Sequence, residues 1–216
     1  MAVVPLSDAS RTPEGPPVAT ILIVAVNAVC FVLELALGDQ FVMRWSVIPA
    51  QIVAGHHWVT LLSAMFMHAS WLHIIGNMVF LWAFGPAIED TMGVVRYLIF
   101  YLLGGLVSML AQIAATPHST IPCLGASGAI AAVMGVFLVT YPSDRIKSIL
   151  LIGWYARITL IPAVVLIGIW FALQLVDLGT VAASNSGGVA YLAHVGGVIF
   201  GAVFGRLFEK PRQIFR

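Results

Sequence analysis

Four residues of this chain have types and positions that could do chemistry together: Ser127, His194, His73 and Asn77. Ser127 stands in Gly125-Ala126-Ser127-Gly128, at the head of an apolar run that continues through Tyr141. A serine at the start of a buried helix meets unpaired backbone N–H groups and the positive end of the helix dipole. That environment suits an oxyanion formed at the serine. Gly-x-Ser-Gly also occurs in ordinary turns and caps, so the tetrapeptide alone decides nothing. Nucleophilic catalysis needs in addition a base for the hydroxyl proton and donors for the oxyanion. His194 is the candidate base. His73 and Asn77, spaced i and i+4, share one helix face. A lone buried histidine is usually structural. A His–Asn pair inside a membrane helix is harder to dismiss, because unsatisfied polar groups are costly there.

The elements that must position these residues are membrane helices. Of 216 residues, 61% are hydrophobic and 9% charged, and the mean hydropathy is +1.02. Soluble domains carry about 25% charged residues, so the expected class is an all-α polytopic membrane protein. A net charge of +1 argues against nucleic acid as a partner. The two cysteines, Cys30 and Cys123, read as free thiols. Residues 1–17, rich in proline, read as a short disordered cytoplasmic tail, and 209–216 as a basic cytoplasmic tail.

Six crossings are expected, at about 18–37, 70–87, 95–115, 127–141, 158–176 and 189–208. Residues 38–67 form an interfacial first outer loop whose 58–67 segment lies in the interface or re-enters the membrane. Glu34, near the end of the first crossing, is expected to snorkel or pair. Glu89 to Arg96 reads as a polar turn, 142–157 as a charged loop and 177–188 as a polar loop. The fourth crossing spans only about 22 Å of a ~30 Å hydrocarbon core, which starts Ser127 about 8 Å below one surface. His194 falls about 7.5 Å below the same surface. Of the ten Lys and Arg, only Arg44 lies on that side. The positive-inside rule therefore makes both termini cytoplasmic and opens the site to the outer face of a cell membrane.

Small residues let the fourth and sixth helices approach closely: Gly128, Ala131, Ala132 and Gly135 on one, Gly196, Gly197, Gly201 and Gly205 on the other. Plain packing explains those glycines equally well, and both readings hold together. None of the nine Asp and Glu lies in either helix or beside His73. A Ser–His dyad is expected rather than a triad.

Three ordered segments resemble the signatures of rhomboid intramembrane serine proteases: Met67-His68-Ala69-Ser70-Trp71-Leu72-His73-Ile74-Ile75-Gly76-Asn77, Gly125-Ala126-Ser127-Gly128 and Ala193-His194-Val195-Gly196-Gly197. The resemblance covers about residues 18–208 and implies a six-helix rhomboid-like bundle. It implies Ser127 as nucleophile and His194 as general base. His73, Asn77 and the Ser127 amide would stabilise the oxyanion, His68 would steady the loop near the mouth, and Gly125, Gly128 and Gly197 would support the site. Single-span membrane proteins become the expected substrates and the lipid bilayer the medium, with no metal or other cofactor. Two departures stand out. Many rhomboids carry Trp-Arg in the first outer loop, where Trp58 is here followed by Val59. Some place a tyrosine four residues after the serine, where Ala131 stands here.

Alternatives are a non-catalytic rhomboid-like binding protein and a small transporter whose His, Asn and Ser line a polar path. A metal site from His68, His73 and His194 would lack a nearby carboxylate or thiol.

Overall fold

A computed structural model describes residues 2–184 and 191–211. After a strand β1 (Ala2–Asp8), the chain enters α1 (Val18–Leu37) directly behind Pro16 and Pro17. No side chain of its own N-cap holds that helix start. The Glu89 carboxylate does so instead, accepting from the Ala19 and Thr20 amides and from Thr20 Oγ1, each at 2.8 Å. An anion at a helix N-terminus satisfies orphan donors and the dipole together. The first loop folds into α2 (Asp39–Trp45), α3 (Pro49–Val53), α4 (Thr60–Ser63) and a 3₁₀ turn at Ala64–Phe66. Thr60, Leu61, Ala64 and Met65 are buried, whereas Trp58 and Val59 are exposed. The second part of the loop thus packs into the protein.

Helix α5 (Trp71–Met92) runs five residues beyond the expected crossing, so Glu89 is helical and the turn falls at Gly93, with φ +80°. Helices α6 (Val94–Ala115) and α7 (Ser127–Thr140) follow. Among the described residues four helical segments are long and apolar enough to cross a membrane: Val18–Leu37, Trp71–Met92, Val94–Ala115 and Tyr191–Phe208. Ser127–Thr140 and Ala163–Leu173 are apolar but shorter. The fold is therefore mostly helical and membrane-embedded.

The all-α expectation needs correction. Strands β2 (Arg145–Ile152) and β3 (Tyr155–Pro162) form a hairpin closed by Gly153, φ +58°, and Trp154. A left-handed residue in a two-residue loop matches the twist of paired strands. β1 pairs antiparallel with β2, Ala2 opposite Leu151 and Asp8 opposite Ile146, giving the order β1-β2-β3. Residues 2–8 are thus ordered strand, not disordered tail. Pro5 is tolerated because β1 is an edge strand and the register slips beside it, between Pro5 and Ser7. An Arg11–Asp144 ion pair and the Arg11 guanidinium over the Tyr141 ring, 3.3 Å from its centre, tie this segment down. Residues 158–162, expected in the fifth crossing, belong to β3. Helix α8 (Ala163–Ser184) starts after Pro162 and takes in 177–184, expected as loop. Residues 185–188 of that loop, 189–190 of the sixth crossing and 212–216 of the tail lie outside the described residues. Helix α9 (Tyr191–Phe204) and a 3₁₀ turn at Gly205–Phe208 complete the chain.

Candidate active site

Ser127 is the first residue of α7, and Gly125 two residues earlier makes the approach possible. Its φ of +135° is a conformation that side chains rarely adopt. A Cβ there would also stand 2.9 Å from Cε1 and Nε2 of His73 and 3.6 Å from Ser127 Oγ. The His73 ring edge, the Gly125 backbone and the serine hydroxyl therefore converge on one spot. No side chain caps α7.

His194 enters from α9, buried at 5% exposure, with Nε2 2.7 Å from Ser127 Oγ. The two helices meet almost backbone to backbone. A Cβ on Gly197 would lie 2.3 Å from the Gly128 carbonyl oxygen, and one on Gly135 2.3 Å from that of Val198. Gly128 is held from its other side by Ser108 of α6, whose hydroxyl donates to the Gly128 and Gly104 carbonyls at 3.0 and 2.7 Å. Gly128 and Gly197 are thus contact points of a three-helix seam, whereas Gly125 lies outside it, against His73. Trp170 on α8 lies against the His194 ring, centroids 5.5 Å apart, and Tyr191 meets it edge-on at 6.4 Å. Sequence reasoning missed both. An aromatic within helical reach of His194 was a signal for Tyr191, whereas nothing distinguishes Trp170 in an apolar run.

His73 and Asn77 face the serine from α5. The α5 start is capped by Ser70, whose hydroxyl accepts from the His73 amide at 3.2 Å. The Ala69 amide donates to His73 Nδ1 at 3.4 Å, so Nε2 carries the ring hydrogen. Asn77 is 9% exposed, and its Nδ2 has no partner among the described residues. His68 is buried with its ring edge-on to that of His73, 5.0 Å away. Burial, with His73 beside it, pushes the His68 imidazole down to about 3. Glu34 does not snorkel: it is buried, and both its oxygens accept from the His68 amide at 3.1 Å.

Ser127, His194, His73 and Asn77 line one cavity of about 620 Å³ with Trp170 and Cys123. The first loop is fastened to this mouth without a Trp-Arg pair. Val47 and Cys123 exchange backbone hydrogen bonds at 3.0 and 2.7 Å, and the Gly125 amide donates to the Ala64 carbonyl at 2.8 Å. Among the described residues no three His, Cys, Asp or Glu side chains come together as metal ligands would. A polarisable hydroxyl on a basic imidazole, with hydrogen-bond donors across a cavity, is equipped for acyl transfer.

Comparisons with known proteins bear on the family of the whole chain. The chain is 28% identical over 199 residues to Rhomboid protease GluP of Bacillus subtilis, covering 90% of this chain and 36% of that protein. It is 27% identical over 206 residues to Rhomboid protein 1, mitochondrial, of Saccharomyces cerevisiae, covering 88% and 54%. Presenilin-associated rhomboid-like protein, mitochondrial, of Homo sapiens is 30% identical over 152 residues, covering 68% and 37%. The chain thus spans from about a third to about half the length of these relatives. Residues 55–211, from within the first loop to just past the turn after α9, match the rhomboid domain, and the chain belongs to the rhomboid family.

Proposed function

We propose that the chain is an intramembrane serine endopeptidase that hydrolyses peptide bonds in or near the membrane-spanning segments of other proteins. The carrying observation is the 2.7 Å contact between Ser127 Oγ and His194 Nε2 inside the cavity. In the proposed reaction neutral His194 takes the Ser127 proton while Oγ bonds to the scissile carbonyl carbon. Negative charge moves to the carbonyl oxygen, where Asn77 Nδ2, His73 Nε2–H and the Ser127 amide donate to it. His194 then passes the proton to the leaving nitrogen as the C–N bond breaks. It next deprotonates a water, which attacks the ester carbonyl; Ser127 recovers its proton from His194 as the acid product leaves. Trp170 and Tyr191 pack against the imidazole and help to orient it by ring contact. This chemistry calls on no metal or other cofactor.

In this reading the domain over residues 18–208 crosses the bilayer six times, α7 and α8 joining the four long apolar helices. The positive-inside distribution supports cytoplasmic termini in a cell membrane, with the cavity open to the outer face and single-span membrane proteins as substrates. Ser127→Ala and His194→Ala should each abolish cleavage of a single-span substrate in liposomes, and wild type should be labelled at Ser127 by a fluorophosphonate. Turnover that survives either substitution rejects the dyad. Wild-type protein that is neither labelled nor active is a non-catalytic family member.

A further inference from the structure

We infer that Glu34 is a positioning residue for the oxyanion side of the site, acting through the His68–His73 turn; this rests on the proposed protease reading. Glu34 sits one turn from the end of α1, 5% exposed, on a different helix from every group in the cavity. Its carboxylate accepts from the His68 amide with both oxygens at 3.1 Å. The next amide along the chain, that of Ala69, donates to His73 Nδ1 at 3.4 Å. Ser70 then accepts from the His73 amide at 3.2 Å. Three consecutive residues thus place the ring of His73 and fix its tautomer.

The consequence is directional. A histidine whose Nδ1 accepts a hydrogen bond keeps its hydrogen on Nε2. That nitrogen lies on the ring edge beside Gly125 and Ser127, where an oxyanion would form. Released from Glu34, the His68 amide loses its anchor and the peptide that carries the Ala69 N–H is free to rotate. The ring can then adopt the other tautomer, whose Nε2 repels an oxyanion instead of donating to it. A backbone amide as partner explains why a buried acid here need not pair with a base. Both carboxylate oxygens are directed at the His68 amide of the turn.

The test uses the full chain in detergent with a single-span substrate. Glu34→Leu should lower kcat by about 10- to 100-fold with KM little changed, less than the 10²–10³ typical of losing an oxyanion donor outright. Glu34→Gln keeps one acceptor oxygen and should retain most of the activity. In a His73→Ala background the same Glu34→Leu change should have no further effect on kcat, since the two act as one unit. A merely structural role would instead add its penalty in both backgrounds. In catalytically dead Ser127→Ala protein, NMR of isotope-labelled histidine should find His73 with hydrogen on Nε2, and Glu34→Leu should mix the tautomers. Additive losses, a Glu34→Gln defect as large as that of Glu34→Leu, or an unmoved tautomer in the leucine variant would each overturn the inference. If Glu34→Leu does not fold, the glutamine variant and its histidine spectrum decide. Turnover by Ser127→Ala would reject the protease reading separately, leaving the tautomer result to stand or fall alone.

Discussion

Replacing Gly201 by alanine should nearly silence the site from two helical turns away. Gly201 lies seven residues beyond His194 on α9, about 10 Å along the axis. A Cβ at that position would stand 2.0 Å from the Ala132 carbonyl oxygen, 2.8 Å from its carbon and 2.9 Å from the Val136 nitrogen. All three are backbone atoms of α7, which cannot swing aside as a side-chain tip can. To open the shortest gap to 3.0 Å, below which real Cβ contacts essentially never fall, α9 must retreat by about 1 Å. Carried rigidly to His194, that shift stretches the 2.7 Å Ser127–His194 contact to about 3.7 Å, beyond hydrogen-bond range. A 1 Å misplacement can lower turnover by about 10²-fold. Overpacking also destabilises by about 1–3 kcal/mol. The assay is kcat/KM on a single-span substrate in liposomes, with fluorophosphonate labelling and thermal melting on the same samples. Gly168→Ala on α8 is the control, because nothing lies within 4 Å of the added methyl group. Near-wild-type cleavage by Gly201→Ala would refute the argument that the α7–α9 seam sets the dyad distance.

Three further outcomes are expected. Trp170→Ala removes the ring contacts with His194 and Phe80 and should lower kcat by about 3- to 10-fold, the equivalent of one aromatic pair, with little change in KM. Glu89→Ala strands the two amides at the start of α1 and should cost roughly 3 kcal/mol, read as a lowered melting temperature with no change in KM for the folded fraction. For His68 the sign follows from its depressed folded value of about 3 against about 6.5 unfolded: its contribution to stability is complete above pH 6.5 and is lost as pH falls towards 3. Wild type should therefore lose about 2 kcal/mol more than His68→Phe between pH 6.5 and 5, and equal losses in the two proteins would contradict that cause.

What was legible in the sequence is what the helix rise alone determines. Ser127 and His194 could be expected at similar depth because each sits a countable number of residues from an apolar boundary and the rise per residue is constant, and their side chains do meet. The shortness of α7, 14 residues, was visible for the same reason. Hydropathy cannot distinguish an apolar strand from an apolar helix, so Ile158 to Ile161 read as membrane span when they pair with Ile149 to Ile146. β1 was hidden more deeply, because its partner lies about 140 residues away and Pro5 and Asp8 argue locally for disorder. Glu34 could be recognised as unusual but not explained, since its partner is a backbone amide that no residue pattern marks.

The two halves of the site are held by different kinds of force, and this decides how each should fail. Ser127 and His194 are brought together by close packing along Gly128, Gly135, Gly197 and Gly201, where neighbouring backbone leaves no slack. Such contacts respond steeply to added volume and weakly to polar substitution. His73 is held instead by a turn at the mouth, beside Ser70, Trp71 and Leu72, all of them exposed. Its restraints are hydrogen bonds of 3.1–3.4 Å, long for their type and easily exchanged for water. Volume added at the α7–α9 seam should therefore abolish proton transfer, measured as loss of Ser127 labelling. Loosening the turn should leave labelling in place and slow only the steps in which charge develops on the carbonyl oxygen.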